Sequence, residues 1–338
     1  MLPNVDDLRE ACLSHLPDLA DHTFSEPPER LPGGNETSIF AISFDVPPHH
    51  PCSGPLIIRI FDNPASHFEQ YRWEAATHDV LVRSGYPVPK VLVAARHAKI
   101  GAFVIMERLN GVMLGSQGLE MPAGVLHFPK IYRNLPATLA DLHLELHRVD
   151  PLPLQQKLST LEVAQEGFTP VGRINRIHEL APRKWSSAHR ACEVLLTQLP
   201  TTTDARLCHG DFHPLNVMTE KNRITGVIDW SKICFADREY DLANAHLLLQ
   251  ASVLVLPGWV VPSINALKSR MAERFLEHYA RCHDIDTDKL SFFRALRACE
   301  ELVLAHEGFA PQMGEVGGWN MDFLDSALIQ QTGISLTA

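Results

Sequence analysis

The sequence predicts an α+β chain in two lobes: a small antiparallel β-sheet with one helix over residues 1–109, then a mainly helical lobe over residues 110–338. Three observations carry this reading. Strand-like runs cluster before residue 109, at 31–44, 55–61, 90–94 and 102–106, with one helical stretch at 67–84 among them. Beyond that point apolar residues recur mostly at helical spacing. A single hairpin, residues 217–230, interrupts the helical half. At 338 residues and 45% hydrophobic content the chain exceeds one ordinary domain and has the length to bury a core in each lobe.

In order along the chain, Leu8, Cys12 and Leu16 follow Asp6-Asp7 at four-residue intervals, which predicts a short capped helix over 5–16 that ends before Pro27-Pro28. Residues 31–44, LPGGNETSIFAISF, form a turn and an alternating strand. Gly33 and Gly34 allow close backbone approach, and Asn35, Thr37 and Ser38 add polar groups. The turn is therefore suited either to covering phosphates with N–H groups or simply to closing a hairpin. The next strand, PLIIRIF at 55–61, carries Arg59 inside an apolar run; it is read either as a snorkelling arginine on an edge strand or as a cation aimed at phosphates. The linking loop, 46–54, is longer and richer in proline than a tight hairpin needs.

The helix at 67–84 has Glu74 in its middle, either solvated or the partner of Arg59. Strands 90–94 and 102–106 end in MERLNG, and Gly111 marks the turn out. Leu139, Leu142, Leu146 and Val149 then make a helical stripe, in which His143 and His147 are read as packing residues because no third zinc ligand lies nearby. One or two helices are expected over 150–200, the clearest at 185–199. The tail, 263–335, reads as helices with acids at Glu300, Glu301, Glu307 and Glu315.

The richest stretch is CHGDFHPLNVMTEKNRITGVIDW, residues 208–230. His209, Asp211 and Asn216 have the H-x-D-x-x-x-x-N spacing of a kinase catalytic loop, and the hairpin that follows is expected to return Asp229 beside Asn216. An amide oxygen and a carboxylate are hard ligands, suited to magnesium carried on a nucleotide's phosphates, while Asp211 is left free to accept a hydroxyl proton. His209-x-Asp211-x-His213 also resembles a metal triplet, but no soft ligand completes it. Further on, DREYDLA leads into an apolar helix, with Asp241 near its start as a cap or a brace for the loop.

A formal charge of −10 argues against nucleic-acid and anionic-membrane partners. The most apolar run, 246–261, is broken by Gln250 and Pro257-Gly258 and is too short to span a bilayer. No signal peptide is apparent, and seven scattered cysteines without C-x-x-C read as reduced thiols of a cytoplasmic protein.

HGDFHPLN, GVIDW and DREYDLA together resemble the aminoglycoside phosphotransferase and choline kinase-like superfamily of small-molecule kinases, over about residues 31–243. The resemblance implies a protein-kinase-like fold in which Asp211 is the catalytic base and Asn216 with Asp229 holds Mg2+. It implies that Gly33, Gly34 and Asn35 lie on the phosphate loop, that Arg59 and Glu74 are the strand cation and helix acid, and that Glu107 to Leu109 offer backbone groups to the purine. His209 becomes a structural member of the loop. Arg59 stands where the family usually has lysine, which keeps open the alternative of a nucleotide-binding pseudokinase scaffold. The expected activity is transfer of the γ-phosphoryl group of ATP or GTP to a hydroxyl of a small molecule. An amino-bearing acceptor is favoured by the acids of the second lobe and by the family. No A-P-E segment follows IDW, which argues against a protein substrate.

Overall fold

The computed structural model describes residues 3–32, 37–61, 70–115, 123–254, 259, 261–308 and 316–337. The chain opens with α1 (Val5–His15), β1 (Glu29–Leu31), β2 (Thr37–Ile42), β3 (Leu56–Phe61), α2 (Gln70–Arg83), β4 (Val91–His97) and β5 (Gly101–Glu107). It continues through β6 (Val112–Met113), α3 (Ala123–Leu146), α4 (Leu152–Thr160), α5 (Pro170–Leu180), α6 (Ser186–Gln198) and β7 (Arg206–Cys208). The hairpin β8 (Val217–Glu220) and β9 (Arg223–Val227) precedes β10 (Cys234–Ala236), α7 (Glu239–Ala251) and β11 (Ser252–Leu254). Helices α8 (Val261–Tyr279) and α9 (Thr287–His306), β12 (Val316–Trp319) and α10 (Met321–Thr332) complete it. Two compact units result: Met1–Gly111 with Pro153–Val163 and Met218–Ser231, and Val112–Leu152 with Ala164–Val217 and Lys232–Ala338.

The first unit is a five-stranded antiparallel sheet of order β1-β2-β3-β5-β4. Alternation along β3 sends Leu56, Ile58 and Ile60 to one face, where they join Phe40, Phe103 and Ile105 and are closed over by Leu8 and Cys12 of α1. Burial of each such aliphatic or aromatic side chain stabilises by about 1.5–3 kcal/mol. A capping box starts α1: Asp7 N–H donates to Asn4 Oδ1 at 2.8 Å and Asn4 N–H to Asp7 Oδ2 at 3.2 Å. Phe61, Ala102 and Val104 occupy the opposite face, the one to which alternation assigns Arg59. Because β3 is flanked by β2 and β5, Arg59 is not on an edge strand, and that reading is corrected.

The hairpin turns through Lys221 (φ 49°) and Asn222 (φ 64°), two left-handed residues in succession that match the right-handed strand twist. Trp230 is fully buried beyond it, donating from Nε1 to Val227 O at 3.1 Å and meeting Tyr86 edge-on.

In the second unit α7 is buried on every side and packs on α8 and α9, α3 packs on α8, and α10 covers α9. Residues 150–200 hold three helices rather than one or two. Two prolines sit in first turns, Pro153 in α4 and Pro170 in α5, where no N–H is needed. All seven cysteines are free, with Cys282 exposed and the others buried. Among the described residues no helix is long and apolar enough to cross a membrane.

Candidate active site

Strand β7 pairs antiparallel with β10, Cys208 opposite Cys234, and delivers the chain into the loop 209–216. Asp241, fully buried in the first turn of α7, grips that loop: its carboxylate accepts His209 N–H and Gly210 N–H, each at 2.7 Å. Asn244 Nδ2 donates to Gly210 O at 3.1 Å. Gly210 is left-handed (φ +77°), and a Cβ there would collide with the carbonyl oxygen of Lys232, so the position requires glycine. Burial works to raise the Asp241 carboxyl, but His147, with His143 and His209, holds it below the usual range. Asp241 therefore braces the loop, as the sequence suggested.

His147, Cys208 and Asp241 offer ligand atoms within 4.8 Å of one another. Both Asp241 oxygens are already engaged by backbone N–H groups, and burial pushes the Cys208 thiol well above its usual range, so the trio does not fit a thiolate metal site. The other two histidines of the loop also serve structure. His209 Nδ1 accepts Asp211 N–H at 3.2 Å, and His213 Nδ1 accepts Leu215 N–H at 3.3 Å.

Asp211 and Asn216 stand together: Asn216 Nδ2 donates to Asp211 O at 2.9 Å, which leaves the amide oxygen as the ligand atom of that side chain. The Asp211 carboxylate is not free. Arg297, on α9 and 2% exposed at its side chain, donates from Nη2 to Asp211 Oδ1 at 2.6 Å, and Lys232 Nζ lies 3.8 Å from Oδ2. Burial would raise the Asp211 carboxyl; Lys232 and then Arg297 outweigh it and hold the group far below the usual carboxylate range. Asp211 is thus a fixed anion, its Oδ1 held by Arg297 and its Oδ2 3.8 Å from Lys232 Nζ.

The α9 acids are likewise committed. Arg297 Nη1 donates to Glu300 Oε2 at 2.7 Å, and Arg297 Nη2 lies 2.7 Å from Glu301 Oε1. Lys232 Nζ is 4.0 Å from Glu300 and 3.7 Å from Glu301, and Arg173 is 3.8 Å from Glu300. Against burial, Lys232, Arg297 and Arg173 pull the Glu300 carboxyl down to about 2. Two of the acids taken from the sequence as open sites for an amine are neutralised inside the protein, because Arg297 reaches both from the same helix. Glu307 is the exposed C-cap of α9, and Glu315 lies outside the described residues.

In the first unit the strand cation and the helix acid meet: Arg59 Nη1 donates to Glu74 Oε2 at 3.0 Å, and Gln70 Nε2 to Glu74 Oε1 at 2.6 Å. Burial raises the Glu74 carboxyl and Arg59 only partly offsets this, while nearby Asp229 adds to the rise. Arg59 Nε also donates to Thr37 Oγ1 at 3.2 Å, and its Nη2 is 3.9 Å from Asp229 Oδ1. Asp229 is left-handed (φ 64°), a strained setting that fixes the direction of its side chain. Its Oδ1 is shielded from solvent, and no donor among the described residues hydrogen-bonds to it. A carboxylate oxygen left in that state fits a hard cation such as magnesium.

Glu107 closes β5, donating its N–H to Lys90 O at 3.0 Å, and Arg108 N–H donates to Pro55 O at 2.9 Å. A recess of about 460 Å³ opens there, lined by Pro55, Leu56, Glu107, Leu109, Asn110 and Thr225. Leu56 belongs to the α1 face of the sheet, so the recess is not on the Arg59 side. Gly33, Gly34 and Asn35 lie outside the described residues.

Residues 30–283 match the profile of the phosphotransferase enzyme family, three quarters of the chain. The chain belongs to the phosphotransferase enzyme family. It is a phosphotransferase with an alcohol group as acceptor. This phosphotransferase is 28% identical over 230 residues to the aminoglycoside 3'-phosphotransferase of Streptomyces fradiae, covering 66% of this chain and 77% of that one. It is 53% identical to the hygromycin-B 4-O-kinase of Escherichia coli over a 38-residue stretch, 11% of either chain. Among solved structures it resembles a thermostable mutant of aminoglycoside phosphotransferase APH(4)-Ia in ternary complex with AMP-PNP and hygromycin B. The TM-score is 0.58 at 18% identity, with 95% of each chain covered. The GDP and kanamycin complex of APH(2")-IIIa gives 0.57 at 16% identity, with 96% of each chain covered. These likenesses fix the fold as the two-lobed, kinase-like α+β fold of this family.

Three cations around Asp211 and the α9 acids were not read from the sequence: Lys232, Arg297 and Arg173. Arg297 lies three and four residues before Glu300 and Glu301, the spacing of helical ion pairs, which was the available signal. Its contact with Asp211 spans 86 residues, and no local pattern encodes it.

Proposed function

We propose that this phosphotransferase transfers the γ-phosphoryl group of ATP or GTP to a hydroxyl of a small molecule, with Asp211 orienting the acceptor. The observation that carries the reading is Asp211 itself: its backbone is braced by the loop, Oδ1 is clamped by Arg297, and among the described residues Oδ2 has Lys232 at 3.8 Å as its ion-pair neighbour. In a loose transition state little proton affinity is required of this group, so a strongly acidic carboxylate that aims the hydroxyl is sufficient. Arg59, held by Glu74, is the cation for the nucleotide phosphates, and its guanidinium supplies charge where a lysine is usual. The segment 1–109 is the nucleotide-binding lobe and 110–338 the catalytic and acceptor-binding lobe, with Gly33, Gly34 and Asn35 over the phosphates and backbone groups of Glu107 to Leu109 against the purine.

Asn216 and Asp229 would hold the magnesium, which when bound neutralises charge on the nucleotide's terminal phosphates. Asp229 Oδ1, shielded from solvent and without a hydrogen-bond donor among the described residues, supports this assignment. An amino-bearing acceptor is supported by the names of the relatives and not by Glu300 and Glu301.

Thermal-shift titration with ATP and GTP, with and without Mg2+, tests the nucleotide site: stabilisation that needs magnesium is expected, and no response to either nucleotide refutes it. Asp211→Ala tests the chemistry. Nucleotide consumption with aminoglycosides, amino sugars, amino alcohols and neutral sugars should fall at least a hundredfold, while unchanged turnover rejects the assignment.

A further inference from the structure

Arg297 does two things with one guanidinium. Nη2 holds Asp211 Oδ1 at 2.6 Å, while the same fork takes Glu300 at 2.7 Å and Glu301 at 2.7 Å; Nη1 also donates to Gly210 O at 3.3 Å. Its side chain is 2% exposed, and those of Glu300 and Glu301 are 8% and 5%. Around the orienting carboxylate stand three anions, Asp211, Glu300 and Glu301, against three cations, Arg173, Lys232 and Arg297. The set is formally balanced. An ammonium group arriving beside Asp211 Oδ2 would meet the Lys232 ammonium 3.8 Å from that oxygen, with the two α9 acids already neutralised. A neutral hydroxyl meets no such opposition.

We propose that Arg297 is a specificity-determining and positioning residue: by clamping Asp211 and withdrawing Glu300 and Glu301 from the acceptor, it makes the reacting end of the acceptor an uncharged sugar or polyol hydroxyl with no ammonium beside it. This rests on Asp211 being the group that meets the acceptor hydroxyl. Any amine the acceptor carries is recognised away from α9.

The test measures kcat/KM of the full chain with paired probes, glucose against glucosamine and paromomycin against neomycin, together with myo-inositol as a neutral polyol. The wild type should favour the hydroxyl member by at least tenfold. Arg297→Met, which removes the closest cation from both acids and leaves the three anions against Lys232 and Arg173 alone, so that the set carries a net negative charge, should move that ratio at least tenfold toward the amino member with the nucleotide KM unchanged; Arg297→Lys should restore the wild-type preference. A wild-type preference for the amino member, a wild type inactive on every neutral probe, or an Arg297→Met ratio unchanged while turnover persists each overturns the proposal. If Arg297→Met fails to fold, Glu301→Gln decides. It leaves the Arg297–Asp211 contact in place and should shift the ratio less than twofold, whereas a tenfold loss confined to the amino members means that Glu301 binds the amine and the proposal is wrong. Full turnover by Asp211→Ala defeats the kinase site itself. A dead Asp211→Ala alongside an unmoved Arg297→Met ratio defeats only this inference.

Discussion

Replacing Asp241 with asparagine should cost the protein more than its small chemical change suggests. The substitution is isosteric, so it creates no cavity, and the whole effect lies in hydrogen bonding. Asp241 accepts His209 N–H and Gly210 N–H at 2.7 Å each, both charge-assisted, and has His147 Nε2 at 3.5 Å. Asparagine can accept only one of those N–H groups; its amide nitrogen would face the other as donor against donor. Losing one charge-assisted bond is worth about 1.5–3 kcal/mol, and leaving a buried N–H unpaired adds about 1–3 kcal/mol, so a loss of about 2.5–6 kcal/mol is expected. The freed backbone runs directly into Asp211, so kcat should fall by more than tenfold while the acceptor KM changes less. Urea unfolding at neutral pH measures the first effect and steady-state kinetics with saturating nucleotide the second. A stability loss below about 1 kcal/mol with wild-type kcat would refute the bracing argument.

Gly210→Ala should unfold or inactivate the protein, since the left-handed backbone and the Lys232 carbonyl both oppose a Cβ; soluble yield and circular dichroism read this directly. Glu74→Gln leaves Arg59 with a neutral partner and should raise the nucleotide KM at least tenfold while costing about 2 kcal/mol of stability, measured by nucleotide titration and urea melts. Acid should weaken the fold through buried rings. Burial lowers His143 and His246 to about 4 each, so both stay neutral in the folded state but take up protons in the unfolded chain as pH falls below about 6.5. The stability they protect is full above that pH and is lost down to about pH 4, on the order of 2 kcal/mol per ring at pH 5. His143→Phe should flatten part of that slope, and an unchanged slope would show that the ring is already charged.

What could be read from the sequence was what short-range patterns encode. The turn at Lys221-Asn222 is a local signal that matches the structure, and the spacing of His209, Asp211 and Asn216 puts all three on one short loop, whereas Arg59 read only as an interruption of an apolar run and its strand proved internal to the sheet. Glu74 was legible as a candidate partner because it lies fifteen residues from Arg59 on the very next element. The charge balance around Asp211 was not legible. Glu300 and Glu301 look like exposed helix acids; Arg297 on the same helix was signalled by its spacing, but Lys232 and Arg173 arrive from elsewhere in the chain, and nothing in a linear pattern announces that convergence.

The first unit draws on three separate stretches, the last ending at Ser231, with the fully buried Trp230 one residue before that end. A nascent chain emerging from the ribosome therefore cannot finish this lobe when its sheet has been translated. The sheet must wait until more than a hundred further residues have appeared, and a fragment cut at residue 111 would lack the Trp230 plug that meets Tyr86. Attempts to express residues 1–111 alone should yield aggregated material unless residues 218–231 are grafted back.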